Sequence, residues 1–589
     1  MVGEGGGDAA KDTARRFTSG SDAVNAGPTG YGVAMDASPT SDLWWKNAVV
    51  YCLDVETFLD SDGDGCGDLR GLTDRLDYLA GLGISCLWLM PFYPSRQRDD
   101  GYDITDFFGI DGRLGTPGDF AEMLRTARDR GIRVIVDLVV NHSSDAHPWF
   151  QAARERDSPM HDFYVWAQEK PPEKPGDVVF PDQESSNWAY DRKAREWYLH
   201  RFYSHQPDLN VANPRVRDEI ARVIGYWLEQ GLSGFRVDAV PFLLEPMGMP
   251  SGAMHDPHEL MRDLRRFLGR RRGDAVLMGE VNLPADQQRA FFGDEDGDEL
   301  HMVLNFLINQ AMYLALARED ATPLRDTLAG LPEIPSDCQW ANFVRNHDEL
   351  TLDKLSEDER AEVFAAFGPE PELQLYGRGL RRRLPTMVGG DERRLRMLYS
   401  LAFALPGTPV LFYGEEIGMA ENLDIPGRYS VRSPMQWSDE PHGGFSTVAD
   451  PAALVRPVVS ASGWTPAQVN VAAQRRADGS LLNWMERLIR RRRECPELGW
   501  GRCTLLDAGH PAVLAHRADW QGSTVVALHA FAGDRLEVAL DVGEELEQAV
   551  DLHTDHHLTP DANGRLTVTL EPYGFRWFRL RRPGERLAP

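Results

Sequence analysis

The stretch IRVIVDLVVNH, residues 132–142, decides the fold. Its β-branched run reads as a strand with apolar neighbours on both faces, the form expected inside a parallel sheet. The run carries Asp137 and ends on Asn141 and His142. A charge closing an apolar strand is a poor core residue. In a closed parallel βα barrel, however, the C-terminal strand ends are where active sites are built. Working outward, three more segments have the same form. GFRVDAV (234–240) carries Arg236 and Asp238, VLMGEVN (276–282) carries Glu280, and NFVRNHDEL (342–350) carries His347 and Asp348.

Around these segments strands and helices alternate. Strand candidates fall at 49–54, 84–89, 132–137, 234–238, 275–280, 301–305, 341–345 and 409–413. Amphipathic helices are expected near 69–80, 118–130, 213–230, 258–272 and 391–404. In LAGLGIS, ARDRGIRV and LEQGLSGF a glycine ends a helix shortly before an apolar strand, as a left-handed cap does. Eight such units are the sequence form of a (β/α)8 TIM barrel, an α/β fold. A doubly wound open sheet is the alternative, but residues of one site on at least four strands favour closure.

The rhythm divides the chain. Residues 1–41, rich in Gly, Ala, Ser, Asp and Thr, read as a disordered tail. The barrel is expected over 42–142 and 213–500, interrupted after strand three by a polar, Pro-, Trp- and Tyr-rich lobe at 143–212. Short alternating runs (TVVALHAF, RLEVALDV, RLTVTL, FRWFRL) with turns DANG and EPYG place a C-terminal antiparallel β-sandwich in 501–589.

Composition excludes several roles. A net charge of −28 repels phosphate backbones and anionic lipid, so neither nucleic acid nor membrane is an expected partner. The basic run Arg490–Arg493 reads as the favourable C-terminus of an amphipathic helix. Six scattered cysteines without C-x-x-C spacing read as buried free thiols, and the cytoplasm is the default compartment. Fifteen Trp and sixteen Tyr exceed what a core needs and suit stacking on sugar rings.

The chemistry follows from spacing. Arg236 and Asp238 are two apart on a strand and point the same way, so the arginine keeps the carboxylate ionised and oriented. Glu280 ends the next strand and lies close to Asp238. Retaining glycosidases need one nucleophilic carboxylate and one protonated carboxyl about 5–5.5 Å apart. The loop DSDGDGCGD (60–68) places Asp60, Asp62, Asp64 and Asp68 at positions 1, 3, 5 and 9, with Gly65 at 6 and the Cys66 carbonyl at 7. That spacing wraps oxygens around one hard cation, and Ca2+ is the expected metal. Position 12 is Gly71, so the loop is not an EF-hand.

These segments resemble the conserved regions of the α-amylase family, glycoside hydrolase family 13. DDGYDITDF (99–107), QPDLN (206–210) and GTPVLFYGEEIGM (407–419) extend the resemblance over about 44–582. It implies Asp238 as nucleophile, Glu280 as general acid/base and Asp348 as transition-state stabiliser. It also implies a glucose subsite lined by His142, Arg236 and His347 and closed behind the sugar by Asp99, Tyr102 and Arg432 of VRSPMQW. A second calcium site is implied at Asn141, Asp208 and Glu245, with the carbonyls of Phe242 and Leu243. Calcium in either place would be structural, and no organic cofactor is expected.

Within the family, CQWANFVRNHDELTL (338–352), WYLHRFYSHQPDLNVANP (197–214) and QVNVAAQ (468–474) look most like the trehalose-synthase branch. The Asp238-Ala239 pair resembles members acting on α-1,4 bonds. The implied activity is interconversion of maltose and trehalose through a covalent glucosyl-enzyme. Glu349, Arg345 and Asn346 are positioned in sequence to grip the leaving glucose. Val281-Asn282-Leu283 after the acid/base residue, and DIPGRYS (424–430), depart from the branch's usual Ala-Asn-Gln and DRDG. The alternative is an α-1,4-glucosidase or transglucosidase acting on maltose, sucrose or short maltooligosaccharides. A non-catalytic scaffold of the same fold is disfavoured by the intact carboxylates. The expected partner is a small α-glucoside, and self-association into a homo-oligomer is compatible with the sequence.

Overall fold

The eight apolar runs close into one barrel in a computed structural model that describes residues 30–31, 43–174, 176, 178–244, 256–543, 545–554 and 556–584. The strands are β1 (Val50–Leu53), β2 (Cys86–Leu89), β3 (Arg133–Leu138), β4 (Gly234–Val237), β5 (Val276–Gly279), β6 (Met302–Leu304), β7 (Gln339–Phe343) and β8 (Thr408–Phe412). Each pairs parallel with the next, and β8 returns to β1 with Val410 opposite Val50. Every sequence candidate overlaps one barrel strand. They were legible because strands covered on both faces must be apolar throughout.

Register positions the site. Asp137 lies opposite Arg236, and Val237 opposite Gly279. The next residues, Asp238 and Glu280, therefore leave β4 and β5 side by side. Ala239 then turns left-handed, with φ +48°, and its N–H faces Glu280 Oε2 at 3.3 Å. A left-handed non-glycine residue is uncommon and costs energy, and such positions cluster at functional sites.

The helices form for local reasons. Helix α1 (Pro117–Asp129) opens with a capping box between Thr116 and Asp119. Helix α2 (Pro214–Gln230) is capped by Asn213 and ends at left-handed Gly231, as LEQGLSGF implied. Helix α3 (Phe306–Arg318) was not anticipated. Ten of its thirteen residues are buried, so it lacks the polar face that marks a helix in sequence.

The inserted lobe carries a three-stranded antiparallel sheet of Trp166–Ala167, Glu196–Leu199 and Trp188–Asp191, with the middle range central. It joins the end of β3 through the bridge His142–Asp208, and the bridge Tyr164–Leu209 ties the lobe to itself. Among the described residues, the C-terminal region is a second core of two antiparallel sheets, to which it supplies six strands of one and two of the other. It packs on the barrel through Ser400, whose hydroxyl meets His529 Nε2 at 3.0 Å and accepts from Trp577 Nε1 at 3.1 Å. Gly30–Tyr31, within the stretch read as a tail, pair antiparallel with Arg502–Leu506. The rest of 1–42 lies outside the described residues. All six cysteines are free and buried. Among the described residues no helix is long and apolar enough to cross a membrane.

Candidate active site

One guanidinium organises the C-terminal mouth of the barrel. Arg236 Nη1 donates to Asp137 Oδ1 at 2.7 Å and to Asp238 Oδ1 at 2.6 Å, and Nη2 donates to Glu280 Oε2. Asp137 also accepts from Trp88 Nε1 (3.1 Å) and Tyr102 Oη (3.3 Å). Exposure separates the carboxyls: the Asp137 side chain is 0% exposed, whereas Asp238, Glu280 and Asp348 are 11%, 24% and 18% exposed. Only the last three can meet a substrate. Together with Asp99, Tyr102, His142 and Glu349 they line one cavity of about 700 Å³.

Burial and charge set the protonation states. Burial pushes Asp238 up to about 6, although Arg236 pulls it down. Glu280 is likewise raised by burial, opposed by Arg236 and reinforced by Asp238 and Asp348. Burial would raise Asp348 too, but His347, Arg428 and Arg432 hold it well below the usual carboxylate range. The mouth thus holds two carboxyls of elevated proton affinity beside one kept ionised, the division of labour that acid–base chemistry needs. Burial lowers His142 to about 4, so its ring is neutral and its Nε2–H donates to Tyr102 O at 3.1 Å.

Three residues assigned to sugar contact lie one layer behind the cavity wall. Arg236 is spent on the three carboxylates. His347 bridges Tyr102 Oη (2.8 Å) and Asp348 Oδ2 (3.1 Å). Arg432, fully buried, donates from Nη2 to Asp348 Oδ1 (2.7 Å) and from Nε to His347 O (2.7 Å). The arginine that reaches the cavity is instead Arg428, in the segment read as a departure. It lines the cavity and reaches Asp99 Oδ1 at 2.5 Å and Asp348 Oδ1 at 3.0 Å. Asp99 also accepts from Tyr429 Oη (3.0 Å) and Gln206 Nε2 (2.9 Å), the latter from the QPDLN motif. The family resemblance pointed to Arg432, through the motif VRSPMQW. Which of two arginines four residues apart reaches the cavity depends on how the turn Gly427–Val431 packs.

Of the acceptor-side expectations, Glu349 and Asn346 line the cavity, and Glu349 faces Arg378 Nη2 at 3.8 Å. Arg345 does not reach a ligand position, because its guanidinium is bonded to Arg382 O (2.9 Å) and Asp348 O (2.6 Å). Phe180 of the lobe meets Tyr376 of the barrel, ring centres 5.1 Å apart, beside the cavity that Phe180 lines.

The two metal expectations part company. In the loop 60–68, carboxylate oxygens of Asp60, Asp62 and Asp68 converge within 4.8 Å of one another, an all-oxygen set that suits a hard cation. Asp64 turns its carboxylate to Cys66 N at 2.8 Å. At the second expected site a guanidinium stands where the ion was placed. Arg201 donates to Phe242 O and lies 3.4 Å from Asp208 Oδ2. Asn141 O accepts from Leu209 N (2.8 Å), and Leu243 is buried in the short helix Val240–Leu244. Glu245 lies outside the described residues. A built-in cation already neutralises Asp208, so those residues do not fit a calcium ion.

A barrel with three open carboxyls at its C-terminal mouth, two of them on one arginine, defines an enzyme class that works on glycosidic bonds. The profile of the α-amylase catalytic domain matches residues 54–365 and 381–501, and that of a sucrose hydrolase-like C-terminal domain matches 522–579. The chain belongs to the α-amylase family. It is 41% identical to trehalose synthase of Thermus thermophilus over 92% of this chain, though it spans only 56% of that protein's length. It is 39% identical to trehalose synthase/amylase of Mycolicibacterium smegmatis over 92% of this chain and 94% of that protein. Among solved structures it resembles an α-amylase from H. orenii, with a TM-score of 0.73, 26% identity, and coverage of 91% of this chain and all of that one.

Proposed function

We propose that this chain is a retaining α-glucosyl-transferring isomerase of the trehalose-synthase kind. The observation that carries the reading is the side-by-side exit of Asp238 and Glu280 from adjacent strands onto one guanidinium. The names of the two relatives supply the substrate class. Asp238 attacks the anomeric carbon of the non-reducing glucose of maltose, and Glu280 protonates the departing glycosidic oxygen. The C1–O bond breaks and a C1–O bond to Asp238 forms. The free glucose turns in the cavity and presents its anomeric hydroxyl. Glu280 takes that proton, the new α-1,1 bond forms, and Asp238 is released. Asp348 stabilises the cationic sugar, while Asp99, His142 and Arg428 wall its subsite.

Glu349 grips the second glucose. Water excluded from this step gives isomerisation, and water admitted gives hydrolysis. The word amylase in the name of the Mycolicibacterium smegmatis relative favours some hydrolysis beside isomerisation. Asp60, Asp62 and Asp68 would hold one calcium ion, which supplies rigidity and no chemistry. Six unpaired thiols suit a reducing compartment, and we place the enzyme in the cytoplasm.

The test is maltose incubated with free 13C-glucose and followed by NMR. Unlabelled trehalose accumulating with little released glucose is the expected result. Glucose as the sole product would replace the isomerase reading with the α-glucosidase one.

A further inference from the structure

Behind Arg432, on the side away from Asp348, lies a buried charge cluster that the reaction above does not use. Asp54 leaves the end of β1, Glu56 follows it, and Asp100 adjoins Asp99. Carboxylate oxygens of Asp54, Glu56 and Asp100 lie within 4.8 Å of one another. Like charges this close, out of water, are untenable without cations. Three guanidiniums supply them.

Arg432 Nη1 donates to Asp100 Oδ2, and Arg456 Nη2 donates to Asp100 Oδ1 and to Glu56 Oε1, the latter at 3.0 Å. Arg456 Nη1 also donates to Arg432 O at 3.2 Å, and Arg113 Nη1 donates to Glu56 Oε2 at 3.2 Å. Both oxygens of Asp100 are therefore gripped, one by each of two arginines. Burial pushes Asp54 up to about 6 and Glu56 up to about 8. Burial acts on Asp100 the same way, but Arg456 and Arg432 overcome it, so Asp100 is the firmly ionised member.

The far end of the cluster is open to a second cavity of about 420 Å³, lined by Glu56, Asp100, Arg113, Tyr429 and Arg456 among others. Tyr429 donates to Asp99, which lines the first cavity, so one wall separates the two.

We propose that Asp100 and Arg456 are positioning residues for glucosyl transfer, holding Arg432 in the pose that orients Asp348, and that the second cavity admits a small cation to the Arg456 position. The inference rests on Asp348 being the transition-state carboxylate. Its physical basis is the rigid fork of a guanidinium. Arg432 serves Asp100 and Asp348 with different nitrogens of one plane, so an unanchored Asp100 lets the whole fork tilt. A misplacement of about 1 Å at the reacting centre can cost up to about 100-fold in rate.

The test compares wild type, Arg456→Ala, Arg456→Lys and Asp100→Asn on maltose, with thermal unfolding recorded for each. Arg456→Ala should lose about tenfold or more in kcat, with KM changed by no more than about threefold. Guanidinium chloride at about 50 mM, far below the molar range in which it unfolds proteins, should restore a measurable part of the loss. Sodium chloride at the same concentration should not. Arg456→Lys should fall between, and Asp100→Asn should lose kcat without responding to guanidinium. An Arg456→Ala variant that keeps its kcat beside an active wild type would overturn this inference alone. So would a folded variant whose kcat and KM worsen together with no response to guanidinium. A wild type inert toward maltose, sucrose and maltotriose would overturn the proposed function and this inference with it.

Discussion

At the scale of the residue, the decisive feature is one arginine shared among carboxylates of unequal exposure. Arg236 binds a sealed Asp137 and two open partners, Asp238 and Glu280. Burial leaves Asp238 raised to about 6 despite that partner, and only its ionised form can attack a sugar. As the nucleophile proposed above, Asp238 is charged above pH 6, and below it the proton returns. The kcat/KM for maltose should therefore fall by about tenfold per pH unit below pH 6. A pH–rate profile on the free enzyme checks this, and a flat profile down to pH 4 would rule out the assignment. That Asp238, Glu280 and Asp348 share one cavity was legible because a charge ending an apolar strand has few structural explanations. Arg428 was not, because it sits in a short irregular turn whose packing, not whose spacing, turns it toward Asp99. Arg201 was hidden for a different reason. Nothing in a motif of oxygen ligands announces that an arginine from the neighbouring lobe occupies the cation's place.

At the scale of the element, the loop 60–68 is a clamp between the exit of β1 and a distant segment. Asp60 N donates to Phe445 O at 2.9 Å, Ser446 Oγ donates to Asp60 Oδ2 at 2.5 Å, and Val455 N donates to Gly65 O at 2.8 Å. Gly65 has φ +97°, and a Cβ there would lie 2.1 Å from Ala453 O, so no other residue fits the turn. A cation bound by Asp60, Asp62 and Asp68 would stiffen this junction and stabilise the fold by mass action. Exhaustive chelation should lower the unfolding midpoint by on the order of 5 °C, and added Ca2+ should restore it. Differential scanning calorimetry makes the measurement, and a midpoint indifferent to chelator would leave only an acidic turn. The barrel strands were readable as elements because each is buried on both faces. Helix α3 was not, because burial on nearly every side erases the polar stripe that identifies a helix.

At the scale of the molecule, barrel, lobe and C-terminal sheets divide the work. The barrel brings residues from Asp99 to Arg428 into one cavity, and the lobe adds Phe180 beside Tyr376 at its edge. The switch from barrel strands to C-terminal antiparallel sheets could be read from a change in hydrophobic period. The approach of lobe to barrel could not, since it depends on side chains far apart in sequence. In the proposed mechanism this cavity transfers a glucosyl group through a bond to Asp238. A slow-turnover analogue, 5-fluoro-α-D-glucosyl fluoride, should trap that bond for peptide mass spectrometry. One fluoroglucosyl group per chain is expected, on the peptide containing Asp238. Label on another residue, or none from an enzyme that turns over maltose, would contradict it.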